Sequence, residues 1–140
     1  MITCTKKYTD IPFAHRQHLH DGHCAFIHGH NWAISITFEA KKLDENGFVV
    51  DFGKLKYIKK WIEENLDHKC LLCKDDPCLP ELLNSKYFDI LVVNDCSCEG
   101  LAKYVFEEIG KKVLNSESGR VFINSVTVEE DLKNSSTYAL

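Results

Sequence analysis

The sequence predicts an α+β domain: a four-stranded antiparallel sheet with two helices on one face, in the order strand, strand, helix, helix, strand, strand. Three observations lead there. Residues 31–40 alternate apolar and polar with a period of two. Residues 53–66 and 98–114 carry apolar side chains at helical spacing. The chain closes with a strand-like run from Arg120 to Glu130 and a short one near Thr137.

Taken in order, residues 2–14 read as a mixed first strand whose regular part ends near Pro12. Residues 15–27 are polar, contain Asp21-Gly22 and form a loop. In the second strand Trp32, Ile34, Ile36 and Phe38 face one way, and Ala33, Ser35, Thr37 and Glu39 the other. Asp44-Glu45-Asn46-Gly47 is turn chemistry, and Phe48 to Val50 is expected to pair back as a short strand. Asp51 is the expected N-cap of a helix from about Gly53 to Leu66, with Leu55, Ile58, Ile62 and Leu66 toward the core. Ser97 caps a second helix, Cys98 to Leu114, whose apolar stripe is Ala102, Phe106, Ile109 and Val113, widened by Leu101 and Val105. Residues 69–93 between them hold two prolines and a strand-like Ile90-Leu91-Val92-Val93. Four strands leave open sheet edges, so self-association into a closed ring is expected.

At 140 residues the chain is expected to be one domain spanning 1–140, and its apolar and charged content is globular. A net charge of −4 with no basic stripe argues against nucleic acid as a partner. No apolar run approaches the roughly 20 residues that cross a bilayer, and Met1 to Lys7 lacks the apolar stretch of a secretory signal. Seven cysteines, an odd number, then point to free thiols, metal ligands or a catalytic thiol in a cytoplasmic protein.

The histidines are clustered. His15, His18, His20, His23, His28 and His30 fall within sixteen residues, and only His68 lies apart. His28-Gly29-His30 opens the second strand, where residues two apart project from one face. His15 closes the first strand and joins them if the two strands form a hairpin. Three imidazoles with a fourth position open is the pattern of catalytic zinc. On spacing alone, this reading and three metal-free histidines stand side by side. Cys24 lies in the loop above; a thiol near a dication loses its proton more readily and can act as a base, and an inert small residue is the alternative. Asp67 beside His68 can orient the imidazole only if the chain turns there, because neighbours on a helix do not face each other. Glu130 shares a strand face with Val126 and Val128, and a carboxylate there calls for a partner such as a ligand with N–H donors; a solvated strand end is the alternative. His18, His20 and His23 are expected to be loop histidines at the mouth of the site.

Together these residues resemble the 6-pyruvoyltetrahydropterin synthase superfamily, and within it the branch that makes 6-carboxytetrahydropterin for queuosine and other 7-deazapurines. The resemblance runs through Ala14-His15, Cys24-Ala25-Phe26-Ile27-His28-Gly29-His30-Asn31-Trp32, Asp51-Phe52, Leu66-Asp67-His68-Lys69, Glu99 with Leu101-Ala102, and Val126 to Glu130. It implies a tunnelling fold whose subunits form a trimeric strand barrel stacked as a hexamer, with sites between subunits. It implies one catalytic zinc on His15, His28 and His30, Cys24 as base with Asp67 and His68 assisting, and substrate contacts from Glu130, Ser97 and Glu99. The substrate would be 7,8-dihydroneopterin triphosphate. Pyruvoyl-forming members carry a longer spacer between the cysteine and His-Gly-His; the three residues here, Ala25-Phe26-Ile27, match the carboxy-forming branch. The alternatives are a pyruvoyl-forming synthase and a zinc-dependent pterin-binding protein without turnover; a branch serving folate synthesis would carry a glutamate near Cys24.

The sequence departs from the family pattern in three places. Phe13 stands where alanine is usual, Cys96-Ser97-Cys98-Glu99-Gly100 replaces a Pro-Thr-x-Glu-Asn pattern, and the segment from Cys70 to Val93 is long. That segment raises the possibility of a second, structural zinc on Cys70, Cys73 and Cys78 with Cys96 or Cys98, against the plainer reading of reduced cysteines in a variable loop.

Overall fold

Two long strands, β1 (Ile2–His15) and β2 (His28–Ala40), pair antiparallel from Ile2 opposite Ala40 to His15 opposite His28, and form the spine of the computed structural model, which describes residues 1–140. A bulge interrupts β1: Tyr8 lies opposite Ile34, but Ile11 lies opposite Trp32. The extra residue changes the parity of the strand. Before it, Cys4 and Tyr8 share the face of Phe38 and Ile34; after it, Ile11, Phe13 and His15 do. Asp10 takes the left-handed conformation this needs, with φ of 58°. Aspartate tolerates that region because its short side chain bonds locally, and here it accepts from Asn31 Nδ2.

The sheet has six strands and is mixed, where four antiparallel strands were expected. Its order is β4-β3-β1-β2-β5-β6, with β3 (Cys70–Cys73), β4 (Ile90–Val93), β5 (Val121–Glu129) and β6 (Ser135–Ala139). β3 runs parallel to β1 and to β4, while the other pairings are antiparallel. Cys70 to Cys73 are all buried, so the run lacks the alternation that marks a half-exposed strand. The strand expected at Phe48 to Val50 is absent. β2 already pairs with β1 on one side and β5 on the other, so it has no free edge to offer. Instead Asp44 Oδ1 accepts from the N–H groups of Asn46 and Phe48, and Val49 and Val50 are buried as loop residues.

Three helices, not two, accompany the sheet: α1 (Lys56–Asn65), α2 (Leu79–Leu83) and α3 (Cys98–Ser116). Asp51 caps a short 3-10 turn, Phe52–Lys54, rather than α1 itself. Ile58, Trp61 and Ile62 of α1, and Leu101, Ala102, Val105, Ile109 and Val113 of α3, join Trp32, Ile34, Ile36 and Phe38 in one buried cluster. Each Val, Leu, Ile or Phe side chain among them taken fully out of water contributes about 1.5–3 kcal/mol. The opposite face of the sheet is polar, with Thr5 bonded to Thr37, Thr127 to Thr137 and Lys7 paired with Glu129. No helix is long and apolar enough to cross a membrane.

Ser97 caps α3 as expected, its Oγ accepting from Gly100 N–H at 2.9 Å. Asp95 stabilises the same turn, accepting from both Ser97 N–H and Ser97 Oγ. A Cβ on residue 100 would stand 2.5 Å from Asp95 Cγ, which explains why glycine occupies a position where the family pattern has asparagine.

Candidate metal centre

The core stripe of β2 does not stop at Trp32. His30 and His28 continue it toward the start of the strand, so two imidazoles stand on the helix-facing side of the sheet. The bulge in β1 brings His15 to that same side. One nitrogen from each of His15, His28 and His30 lies within 4.8 Å of the others. The rings meet edge to face, with centroids 4.8–5.4 Å apart.

The outer nitrogens are fixed by backbone carbonyls. His15 Nδ1 lies 2.7 Å from the carbonyl oxygen of Cys96, and His28 Nδ1 lies 2.7 Å from that of Phe26. A carbonyl can only accept, so each Nδ1 carries the hydrogen and each Nε2 presents a lone pair, the tautomer of a metal-binding histidine. His15 Nε2 and His30 Nε2 are buried without a hydrogen-bond partner. Two buried ring nitrogens without partners would be costly if nothing filled the space between them. Burial holds the pKa of His15 down to about 4, the Cys96 carbonyl partly opposing it and the neighbouring imidazoles adding to it. A ring that stays neutral is a ready cation ligand. The three histidines therefore fit zinc, whose preference for imidazole nitrogen is strong.

Glu130 follows β5 and is held by a tight turn: its N–H donates to Asn134 O, while Asp131 accepts from Lys133 and Asn134. Its Oε1 lies 3.4 Å from His30 Nε2 and 3.6 Å from His15 Nε2. These are electrostatic approaches, too poor in geometry for hydrogen bonds. Beyond His30 and Glu130 opens a cavity of about 490 Å³, also lined by Trp32, Asn31, Asp10 and Lys7. Glu130 thus touches both the histidine centre and the space beside it.

The sequence model of the 6-pyruvoyl tetrahydropterin synthase family matches residues 3–139. The chain belongs to this family. It is an enzyme of the family's type. A 6-carboxy-5,6,7,8-tetrahydropterin synthase from Rickettsia conorii is 32% identical over 133 residues, covering 93% of this chain and 94% of the relative. One from Rickettsia bellii is also 32% identical, over 136 residues with the same coverage. Among solved structures, an uncharacterized protein from Wolinella succinogenes superposes with a TM-score of 0.85 at 21% identity, covering 99% of this chain and 97% of that one. The 6-pyruvoyl tetrahydropterin synthase of Caenorhabditis elegans gives 0.66 at 27% identity, covering 99% and 96%. The tunnelling fold expected from the sequence is the fold found.

Around the centre of this pterin synthase homologue, the other expected residues are dispersed. Cys24 sits in a 3-10 turn, His23–Ala25, and its carbonyl accepts from Gln17 N–H at 2.7 Å. His68 adopts φ of 63°, and this turn lets its Nδ1 reach Asp67 Oδ1 at 2.6 Å. The His68 side chain is 82% exposed, and no hydrogen bond or ion pair links the Asp67–His68 pair to Cys24 or the three histidines. Ser97 is engaged in capping α3, and Glu99 Oε1 accepts from Ser136 Oγ. Neither is hydrogen-bonded or ion-paired to the histidines. Their helix follows Cys96, whose carbonyl orients His15.

Cys70, Cys73 and Cys78 do not gather as one set of ligands. Cys70 and Cys73 are three apart on a strand and point to opposite faces, and the Cys98 thiol donates to Val128 O. Sequence reasoning also missed the Arg16–Asp76 pair. Arg16 Nε and Nη2 donate to the two carboxylate oxygens of buried Asp76 at 2.6 and 3.0 Å. Burial pushes the Asp76 carboxyl up, but the Arg16 fork and the Cys78 N–H outweigh it and hold it low. The only signal was an arginine directly after a candidate ligand.

Proposed function

We propose that this protein is a zinc enzyme that converts 7,8-dihydroneopterin triphosphate and water to 6-carboxy-5,6,7,8-tetrahydropterin, with acetaldehyde and triphosphate released, on a route to 7-deazapurines such as queuosine. The observation that carries the reading is the convergence of His15, His28 and His30, two of them with buried, unpartnered Nε2 atoms. The branch is supported by the relatives named as 6-carboxytetrahydropterin synthases and by the three-residue spacer between Cys24 and His28.

Zinc held by the three imidazoles supplies Lewis acidity toward the hydroxyls of the substrate side chain. Glu130 accepts hydrogen bonds from the amino and ring N–H groups of the pterin and orients it beside His30; its negative charge makes those bonds strong. Cys24 takes the proton from the side-chain carbon as a thiolate base. In the His68 ring, the Nδ1–H bound to Asp67 leaves Nε2 free to receive or return a proton. That pair faces solvent in one chain, so the complete site is proposed to form in a homo-oligomer, a trimer or hexamer, where a neighbour's Asp67 and His68 approach Cys24. The unpaired edges of β4 and β6 support this. Ser97 and Glu99 are proposed as further substrate contacts at the start of α3. Seven free cysteines support a reducing, cytoplasmic address.

The test is metal-dependent release of acetaldehyde, followed with an alcohol dehydrogenase and NADH. Chelator-stripped protein should release none from the triphosphate, and one equivalent of zinc should restore release. Release that ignores zinc, or none from folded, zinc-loaded protein, would overturn the proposal.

A further inference from the structure

A second set of ligand-type side chains lies beneath the loop that follows β1. His18 comes from that loop, Cys73 ends β3, and Asp75 follows two residues later. One nitrogen, the sulfur and one carboxylate oxygen from these three all lie within 4.8 Å of one another. They arise from segments 55 residues or more apart in sequence, so chain proximity does not account for the meeting of His18 with the other two. Cys73 is buried, and fully buried Cys96 places its thiol beside that of Cys73. Both cysteines are free thiols. Arg16, in the same region, is engaged by both oxygens of Asp76.

We infer that His18, Cys73 and Asp75 form a second metal site, for zinc or a similar borderline divalent cation. Thiolate and imidazole together select such ions over magnesium or calcium, which prefer all-oxygen sites. The site lies outside the three-histidine centre and shares no ligand with it. This set differs from the one the sequence suggested, in that His18 and Asp75 replace Cys70 and Cys78.

The position gives such an ion a structural task. The loop bearing His18 is closed by Gln17 N–H donating to Cys24 O, and Arg16 Nη1 donates to Ala25 O. Fixing His18 to the end of β3 therefore holds the turn that carries Cys24.

Cobalt(II) titration of the metal-stripped full chain, under reducing conditions, tests the inference. The three-histidine centre has no sulfur ligand, so cobalt there gives only weak ligand-field bands. Cobalt at the second site adds an intense near-ultraviolet thiolate-to-metal absorption. We expect two equivalents to bind, one of them with the thiolate band. His18→Ala and Asp75→Asn, both at accessible positions, should each weaken that equivalent by roughly 10–100-fold, a range seen even for lost outer-shell partners, and leave the other unchanged. Cys73→Ser should abolish the band, with uptake at the three-histidine centre reporting that the chain still folds. One equivalent without a thiolate band would overturn the inference. So would a thiolate band that His18→Ala and Asp75→Asn both leave intact, because the sulfur would then belong to another cysteine.

Discussion

His15 stands directly opposite His28 in the β1–β2 register, with ring centroids 4.8 Å apart. They share a face only because one residue is inserted at the Thr9–Asp10 bulge. Without it, period-2 alternation would send His15 to the polar side of the sheet. Deleting Asp10 is therefore expected to lower the zinc retained after gel filtration by one equivalent per chain, measured by elemental analysis. Asp10→Gly keeps the left-handed conformation accessible and should retain zinc. Wild-type zinc content in the deletion variant would refute this role for the bulge.

Burial of His15 makes stability depend on pH in the metal-free protein. Its pKa is about 4 when folded, against an ordinary 6.5. Between those values the unfolded chain binds a proton that the folded chain does not, so stability falls as pH drops from 6.5 and levels off below 4. The loss should total about 3 kcal/mol, read from urea unfolding midpoints across that range. His15→Gln should flatten the profile.

Arg16 and Asp76 form a two-point ion pair in which the Asp76 side chain is fully buried. Removing one partner leaves an uncompensated charge, so Arg16→Met is expected to cost about 3–5 kcal/mol in chemical denaturation. Adding Asp76→Leu to that variant should recover much of the loss. If the double variant proves no more stable than the single one, the pair is not the source of the cost.

Much of this architecture was legible in the sequence because it is carried by periodicity. The alternation through Trp32 and Phe38 marked β2, and the stripe from Leu101 to Val113 with Ser97 as cap marked α3. The runs at Cys70–Cys73 and Ile90–Val93 are four residues each and pair in parallel with distant partners. Nothing local records such a pairing, so β3 was not anticipated and the sheet was expected to be purely antiparallel. The three histidines were found from spacing and resemblance. The groups that hold them were not, because the Cys96 and Phe26 acceptors are backbone carbonyls, which every residue has. His18 could not be joined to Cys73 and Asp75 until β3 was known to lie beside β1.

Glu130 touches the histidine centre and the cavity at once. Glu130→Gln keeps the shape and removes the charge. If the carboxylate accepts hydrogen bonds from the pterin, the variant should lose about 1.5–3 kcal/mol of binding, roughly 10–100-fold in KM. Zinc content should stay at the wild-type level. An unchanged KM would place the ring elsewhere.

The proposed reaction stands or falls on the identity of its pterin product. Zinc-loaded protein would be incubated with 7,8-dihydroneopterin triphosphate under reducing, anaerobic conditions and the product mixture read by mass spectrometry. The expected products are 6-carboxytetrahydropterin and acetaldehyde. A 6-pyruvoyl product, or unchanged substrate from folded protein with zinc bound, would contradict that reaction.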